Sequence, residues 1–189
     1  SSLAALLNYS ATFAVTFLMS LYLQYLKGMP PRTAGLLLMA QPVMMAIFSP
    51  LAGRLSDRLE PRLLASAGMA ITVVGMLVFT QLQTDSGLVG IVCNLALLGF
   101  GFALFSSPNM SAIMGSVAKE QYGIASGAVA TMRLMGQMMS MAIATVVLAL
   151  LVGHEAINPD NYDRFLLSIR TVFALSAVLC GAGVYFSLF

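Results

Sequence analysis

Charged side chains are scarce in this chain: nine Lys and Arg and seven Asp and Glu make up 8% of its 189 residues. Soluble domains carry about one quarter charged residues. Hydrophobic residues instead make up 59% of the chain, and its mean hydropathy is +0.92. A water-soluble fold of this size could not bury so much apolar surface, because even large domains leave part of it exposed. The composition therefore predicts an integral membrane protein.

Residues that bind metals or carry redox chemistry are also few. Cys93, Cys180 and His154 are spread through the chain and form no cluster with ligand spacing. The two cysteines belong to different apolar runs, roughly 13 Å apart in depth at about 1.5 Å per residue, so we expect no disulfide. The nine basic residues form no stripe that could follow a phosphate backbone. We expect no metal, no cofactor and no nucleic-acid partner.

Catalytic motifs are missing as well. Ser126 and Gly127 belong to a Gly-Ile-Ala-Ser-Gly run, which is not the Gly-x-Ser-x-Gly elbow of a hydrolase, and His154 lies in a loop. The sequence contains no His-Glu-x-x-His motif and no pair of aspartates inside an apolar run. We therefore predict that the protein is not an enzyme.

Six apolar stretches are long enough to cross a bilayer as helices, which takes about 20 residues each. Short polar or turn-forming segments separate them, and no stretch shows the sustained two-residue alternation of a strand. We predict an all-α membrane protein with one six-helix domain over residues 1–189 and antiparallel neighbours in an up-down bundle. The predicted spans are 3–26, 34–52, 63–82, 88–117, 123–152 and 165–188.

The loop after the second span concentrates the charge. Its sequence over residues 53–62, Gly-Arg-Leu-Ser-Asp-Arg-Leu-Glu-Pro-Arg, resembles the signature loop of major facilitator superfamily transporters, roughly Gly-x-Leu-(Ser/Ala)-Asp-Arg-x-Gly-Arg-(Arg/Lys). Segments 25–36, 107–115 and 123–127 are similar to the C-terminal half of multidrug:proton antiporters of the fourteen-span branch. The resemblance implies one six-helix half-bundle, built as a 3+3 inverted repeat, that needs a second half.

The resemblance also implies that residues 53–62, the gate loop, act as a conformational gate through Gly53, Arg54, Asp57, Arg58 and Arg62. Asp57 is expected to approach the N-terminus of the fifth helix of the other half, where free amides and the helix dipole attract an anion. Gly53 would permit close helix approach, and Arg58 would form a charge pair that breaks during transport. Glu60 and Pro61 depart from the family pattern, replacing a glycine and a basic residue. The alternative is that the arginines only set membrane topology.

One charge lies well inside a span. Arg133 stands roughly 15 Å from the start of the fifth helix at about 1.5 Å per residue. Because a lipid-facing arginine is costly, we expect it to face the bundle interior or a wet cavity. Small and polar residues recur beside it at helical spacing, and the first span carries a second polar stripe. We predict a cavity lined in part by Asn8, Tyr9, Thr12, Arg133 and Gln137. The alternatives are carbonyl capping or snorkelling by Arg133, and interhelical hydrogen bonding by the others.

The spans contain no Asp or Glu, whereas proton-coupled transport usually uses an intramembrane titratable group. We therefore expect the coupling carboxylate on the second half. The hypothesis is half of a secondary active transporter for multidrug or lipophilic compound efflux by alternating access. Its partners would be the lipid bilayer, a second six-helix half and a small amphipathic substrate. The alternative is a non-transporting accessory or structural membrane protein that acts as a homodimer or with another partner.

Basic residues near the loops divide evenly between the two sides of the membrane. If Arg164 and Arg170 are set aside as helix residues, the side of the gate loop carries more basic residues than the other side. The positive-inside rule then predicts that the gate loop and both termini lie in the cytoplasm. The resemblance implies the inner or plasma membrane of a bacterium or archaeon. The chain begins at Ser1 with no basic segment before its first apolar run, so we expect no signal peptide and a processed or truncated chain.

Overall fold

The computed structural model describes residues 2–56, 59–153, 157–158 and 161–188. Every regular element in this described part of the chain is helical, as the apolar runs predict. The helices are α1 (Ser2–Leu21), α2 (Pro31–Leu38), α3 (Ala40–Ser56), α4 (Pro61–Phe79), α5 (Leu88–Gly115), α6 (Tyr122–Leu151) and α7 (Tyr162–Leu188). A π turn (Tyr22–Leu26) extends α1, and a 3₁₀ turn (Lys119–Gln121) precedes α6.

The helix ends fall within about one turn of the predicted span ends, because proline and glycine punctuate the chain there. Pro31 and Pro61 occupy the first positions of α2 and α4, where a missing N–H leaves no helical bond unmade. Gly28 has a φ of 61° in the turn before α2, and Gly153 has a φ of 82° after α6. These backbone conformations suit glycine far better than any residue with a Cβ.

Helices α2 and α3 together make one span with a break at Met39. Pro42 explains the break, since its ring nitrogen has no hydrogen to donate to the carbonyl of Leu38, one turn earlier. Among the described residues, five helical segments are long and apolar enough to cross a membrane: Pro31–Ser56, Pro61–Phe79, Leu88–Gly115, Lys119–Leu151 and Tyr162–Tyr185.

The helices pair in an order that differs from the expected up-down bundle. Helix α5 packs against α3 and α4, helix α1 packs against α6 and α7, and α4 packs against α7. The consecutive pairs α3–α4 and α5–α6 scarcely touch. A short loop brings two helix ends together, but the sides of membrane helices associate where small residues permit close packing. The expectation that helices joined by short loops are neighbours was therefore wrong for these pairs.

Glycines mark the close approaches. A Cβ on Gly99 of α5 would lie 2.3 Å from the carbonyl oxygen of Gln41 on α3, and one on Gly136 of α6 would lie 2.7 Å from the Cβ of Tyr9 on α1. Real Cβ atoms do not come so near to other atoms, so only glycine allows these helices to pack at this distance. The close α3–α5 and α1–α6 contacts therefore require a glycine at positions 99 and 136, respectively.

Buried apolar side chains form a core shared by α1, α4, α5 and α7. Half of the most apolar stretch is buried in α4, α5 and α7, whereas only 11% is buried in Pro31–Ser56 and 17% in Lys119–Leu151. The α2–α3 span and α6 therefore present broad apolar faces to their surroundings. Large exposed side chains on these faces include Val43, Ile47, Leu51, Leu134, Met138 and Val146.

Hydrogen bonds join three helix ends at one end of the bundle, here called the Tyr22 end. The Tyr22 hydroxyl donates to the carbonyl of Gln83, which follows α4. Arg170 of α7 donates from Nε to the carbonyl of Leu82 at 2.7 Å, and the Tyr162 hydroxyl donates to a carbonyl of the π turn at 2.9 Å. These bonds tie the π turn, the turn after α4 and the first turns of α7 together.

Candidate functional site

A cleft of about 440 Å³ opens between α1, the α2–α3 span, α5 and α6. Its volume lies within the range of small-molecule pockets. Polar groups on its walls come from Tyr9, Thr16, Gln41, Arg133 and Gln137. Apolar walls come from Phe13, Leu38, Met39, Pro42, Met45 and Phe102. The cleft thus combines a flexible, apolar surface with a few polar groups, as pockets for amphipathic molecules do.

Arg133 and Tyr9 form the most strongly polar part of the cleft. The guanidinium carbon of Arg133 lies 5.9 Å from the centroid of the Tyr9 ring, which is within cation–π range. The ring is itself fixed by Phe102 and Phe105, whose centroids lie 5.7 and 6.3 Å from it. Tyr9 is 6% exposed. The arginine therefore rests on an aromatic platform that cannot easily turn.

The contact between α1 and α6 positions both of these side chains. The backbone N–H of Ala14, in the middle of α1, donates to the Ser140 hydroxyl of α6 at 2.8 Å. Ser140 is buried, and the hydrogen bond crosses the helix interface. Together with the close approach at Gly136, it fixes the register between Tyr9 on one helix and Arg133 on the other. This register brings the aromatic ring beneath the guanidinium.

The predicted cavity residues have different positions in the structure. Tyr9, Arg133 and Gln137 line the cleft together. Asn8 is fully buried instead, and its side-chain oxygen accepts a weak hydrogen bond from the Cys180 thiol of α7 at 3.5 Å. The side chain of Thr12 lies outside the described residues. Successive residues point about 100° apart around a helix, so the neighbours Asn8 and Tyr9 face the core and the cleft respectively.

The α2–α3 wall of the cleft was missed by sequence reasoning. Gln41 and Pro42 belong to an otherwise apolar run and carry no periodic polar signal. The lone glutamine could have drawn attention, because a polar amide inside a span seldom faces lipid. Its direction around the helix was not readable without the packing against Gly99.

The polar stripe predicted on α6 divides between two environments. Ser140 and Ala144 are buried against neighbouring helices, while Arg133 and Gln137 line the cleft. Ser126, near the start of the helix, is exposed. Along this face of α6, the first turns are therefore exposed, the middle lines the cleft, and the following turns are buried against neighbouring helices.

The gate loop is described only in part. A Cβ on Gly53 would lie 3.1 Å from the Ser107 hydroxyl of α5, so this glycine does allow a close approach between α3 and α5. Arg54 and Arg62 are exposed. Asp57 and Arg58, to which the resemblance assigns the gating contacts, lie outside the described residues.

Within the described part of the chain, no three His, Cys, Asp or Glu side chains come together in a way that could hold a metal ion. Cys93 is an exposed free thiol and Cys180 a buried one. Neither cysteine contributes to the cleft lining that the structure describes.

Comparison with known proteins identifies relatives of this chain. It is 25% identical over 181 residues to the riboflavin transporter RibZ of Clostridioides difficile, an alignment that covers 96% of this chain and 40% of RibZ. It is 32% identical over 166 residues to the multidrug resistance protein Stp of Mycobacterium tuberculosis, covering 84% of this chain and 30% of Stp. It is 35% identical over 127 residues to the uncharacterized transporter YebQ of Escherichia coli, covering 67% and 28% respectively. The chain thus spans less than half the length of these relatives.

The sequence model of the Major Facilitator Superfamily matches residues 1–189, which is the whole of this chain. Members of this family are transporters of the membrane, and the apolar helices of this structure agree with such a setting. The chain is an integral membrane protein that belongs to the Major Facilitator Superfamily.

Proposed function

We propose that this chain forms one half of a secondary active transporter that exports multidrug or lipophilic compounds by alternating access, and that a second six-helix half completes the path. The observation that carries the proposal is the cleft itself. It opens beside the α2–α3 span and α6, the least buried of the five long apolar segments in the described residues, so a facing half would close it into a central cavity. Such midplane cavities between two halves are where secondary transporters bind their substrates.

The helix contacts support a 3+3 inverted repeat with six spans, of which α1 supplies the sixth. Under exchange of the first three spans with the last three, α1 corresponds to α5, the α2–α3 span to α6, and α4 to α7. The α1–α6 contact then matches α5–α3, the α1–α7 contact matches α5–α4, and α4–α7 maps onto itself. The two least buried spans are also a corresponding pair.

The second half would cover the apolar faces of the α2–α3 span and α6. These faces carry many large exposed side chains and flank the cleft, whose arginine is costly to expose to lipid, so a facing half would shield the cleft from lipid. The second half could belong to the same polypeptide or to a second copy of this chain. Both arrangements would bring the gate loop near the N-terminus of a fifth helix. Gln121, at the N-cap of α6, makes no capping side-chain hydrogen bond in the described structure, which leaves amides available to an acidic side chain.

Several features support efflux of lipophilic compounds from a bacterial inner membrane. One relative is named a multidrug resistance protein and another a riboflavin transporter, and all three reported relatives are bacterial. The apolar walls of the cleft include flexible methionines, which suit varied ligands. With both termini in the cytoplasm, the Tyr22 end faces outward and the gate loop inward. The coupling carboxylate would lie on the second half, since the only acidic residues in the described spans, Glu120 and Asp163, lie at the span ends.

The test is transport by the full chain, as its gene encodes it, in proteoliposomes loaded with anionic, neutral and cationic amphipathic dyes. We expect flux of at least one dye, accelerated by a pH gradient. Gly35→Leu should slow this flux at least severalfold. Gly35 lines the cleft and a Cβ there meets no atom within 4 Å, so the leucine side chain should fit without a clash and fill part of the cleft. Gly181→Leu is the matched control, since Gly181 is equally open but lies on α7, away from the cleft.

Each negative result has a distinct meaning. Correctly inserted protein that moves none of the dyes would reject the transport proposal and favour a non-transporting accessory protein. Flux that does not respond to the pH gradient would reject proton antiport but retain transport. Equal slowing by Gly35→Leu and Gly181→Leu would reject the cleft as the path.

A further inference from the structure

We infer that the cleft selects amphipathic substrates with an anionic group, such as a carboxylate on an aromatic body, and that Arg133 is the residue that selects them. The inference rests on the proposed function, because it names the substrate class of the same cleft. It differs from a general preference for lipophilic compounds, since it predicts which of three equally apolar molecules binds best.

The charge of the cleft carries the inference. Arg133 is the one charged residue among the described residues that line it. Its other polar groups are hydroxyls and amides, which are neutral. A guanidinium always carries its charge and offers five N–H donors. The cleft is therefore a positively charged site with apolar walls.

Within the part of the chain that the structure describes, Arg133 makes no hydrogen bond, so its N–H donors are available to a ligand. The interaction that the described residues provide is with the face of the Tyr9 ring, at 5.9 Å. A ring face attracts a cation but cannot accept five hydrogen bonds. Arginine binds a carboxylate through two parallel N–H donors in its plane, and a contact with a ring face does not provide the in-plane acceptor that these donors need.

The remaining walls suit the body of such a ligand. Gln137 lies one turn from Arg133 on α6, and Gln41 faces the cleft from α3, so amide groups line the same cleft as the guanidinium. Phe13, Phe102 and Met45 supply aromatic and thioether surfaces for a planar apolar ring system. The site thus offers an anion-binding end and an apolar bed within one volume.

Alternatively, Arg133 could form an ion pair with an acidic side chain of the second half. The arginine would then hold the two halves together instead of binding substrate. The two cases differ in a measurable way. A guanidinium that already pairs with protein would give no preference for an anionic ligand. A free guanidinium would favour an anion over its neutral analogue and would repel a cation.

Three ligands that share one ring system separate these cases: anthracene-9-carboxylate, anthracene-9-carboxamide and 9-anthracenylmethylammonium. Their dissociation constants are measured by equilibrium dialysis with the full chain, as its gene encodes it, in lipid nanodiscs, and empty nanodiscs correct for partition into lipid. We expect the carboxylate to bind at least about tenfold tighter than the carboxamide, which corresponds to about 1.4 kcal/mol. The ammonium should bind more weakly than the carboxamide.

Two variants connect this preference to Arg133. In Arg133→Gln the carboxylate should bind no better than the carboxamide. Gln137→Glu keeps the arginine but gives it a carboxylate one turn away, a spacing at which opposite charges pair. Gln137→Glu should also abolish the preference for the carboxylate. This second variant tests the role of Arg133 even if Arg133→Gln does not fold. Arg164→Gln removes a positive charge from α7, which does not line the cleft, and should retain the preference.

Outcomes that overturn the inference are specific. Equal binding of carboxylate and carboxamide by the unaltered protein overturns it but leaves the proposed function standing, because the neutral ligand still occupies the cleft. Retention of the anion preference in both Arg133→Gln and Gln137→Glu assigns the preference to another group and also overturns it. If none of the three ligands binds, the inference and the proposed cleft fail together.

Discussion

Gly136 controls the geometry of the cleft at the scale of a single residue. Its missing side chain lets α6 approach α1 until a hypothetical Cβ would lie 2.7 Å from the Cβ of Tyr9 and 3.0 Å from the carbonyl oxygen of Leu6. The same approach allows the Ala14–Ser140 hydrogen bond to form. The position of the Tyr9 ring under Arg133 therefore depends on a glycine that has no polar group of its own in the cleft.

Replacement of Gly136 by Ala should separate the two helices and destabilise the protein. We expect a loss of about 1–3 kcal/mol in the free energy of unfolding, the usual cost of a methyl group forced into a packed interface. The measurement is equilibrium unfolding in mixed detergent micelles, followed by circular dichroism.

Gly127→Ala on the same helix is the matched control, because a Cβ there meets no atom within 4 Å. It should raise the free energy of unfolding by about 0.5–1 kcal/mol, since alanine favours the helix over glycine. A loss of stability of the same size in both variants would contradict the argument from close packing.

The sequence predicted part of the site at this scale, and physical reasons limit the rest. Arg133 was recognisable because a charge inside an apolar span is costly wherever it faces lipid, and Gln137 followed from its spacing on the same helix. Asn8 and Tyr9 could not be separated, since a polar stripe that repeats every four residues drifts around the helix. The packing of α1 against α6 and α7 decides which of the two faces the cleft.

At the scale of elements, the break between α2 and α3 shapes one wall of the cleft. Met39 lies at the break, and Gln41, Pro42 and Met45 follow it on the cleft side. Because Pro42 cannot donate to the carbonyl of Leu38, the two helices need not share one straight axis. A bend at this point would leave space beside α1 that a straight, continuous helix would occupy.

Pro42→Ala should restore the missing donor, straighten this span and narrow the cleft. One recovered hydrogen bond is worth about 1 kcal/mol, so the straight form should gain about fivefold in population. We expect the affinity for anthracene-9-carboxamide to fall by more than twofold and at most about fivefold in the nanodisc dialysis measurement, without loss of stability.

Pro50→Ala is the matched control for this prediction. Pro50 also lies inside α3, but it does not line the cleft. Its replacement should leave ligand affinity within about twofold of the unaltered protein. An equal fall in both variants would show that proline content of the helix, rather than the break beside the cleft, governs binding.

The positions of the spans were predictable because hydropathy and proline punctuation act locally along the chain. The pairing of the spans was not, since α3 with α5 and α1 with α6 meet through glycines that look alike in sequence whether they face lipid or a helix. Gly99 and Gly136 support these contacts, whereas Gly127 and Gly181 have open surroundings. Only the packed structure distinguishes glycines that allow close helix contacts from glycines with open surroundings.

For the whole molecule, the two ends of the bundle differ. At the Tyr22 end, hydrogen bonds from Tyr22, Tyr162 and Arg170 tie α1, α4 and α7 together. At the other end, the gate loop carries exposed arginines. The side chain of Gln121, the N-cap residue of α6, makes no capping hydrogen bond there. We therefore expect the contacts that open and close during transport to form between halves at the gate-loop end.

The gate prediction concerns Asp57, whose role follows from the family resemblance. Asp57→Asn removes the anion expected at the N-terminus of the partner helix, a contact worth about 0.3–2 kcal/mol depending on burial. The cytoplasmic side should then be open more of the time. A Thr16→Cys reporter in the cleft should react faster, by about twofold to at most about 30-fold, with a membrane-impermeant maleimide added from the cytoplasmic side. The background carries Cys93→Ser, because Cys93 is exposed.

Glu60→Gln provides the control, since it removes one carboxylate from the same loop at a position where the family has glycine. In Glu60→Gln, the Thr16→Cys reporter should react with the maleimide at the same rate as in the protein with an unaltered gate loop. Equal acceleration by Asp57→Asn and Glu60→Gln would mean that net loop charge, not a specific contact at position 57, determines closure. Acceleration by neither variant would reject the gate and leave the arginines as topology signals alone, because a latch that holds two halves together must release the cleft when its anion is lost.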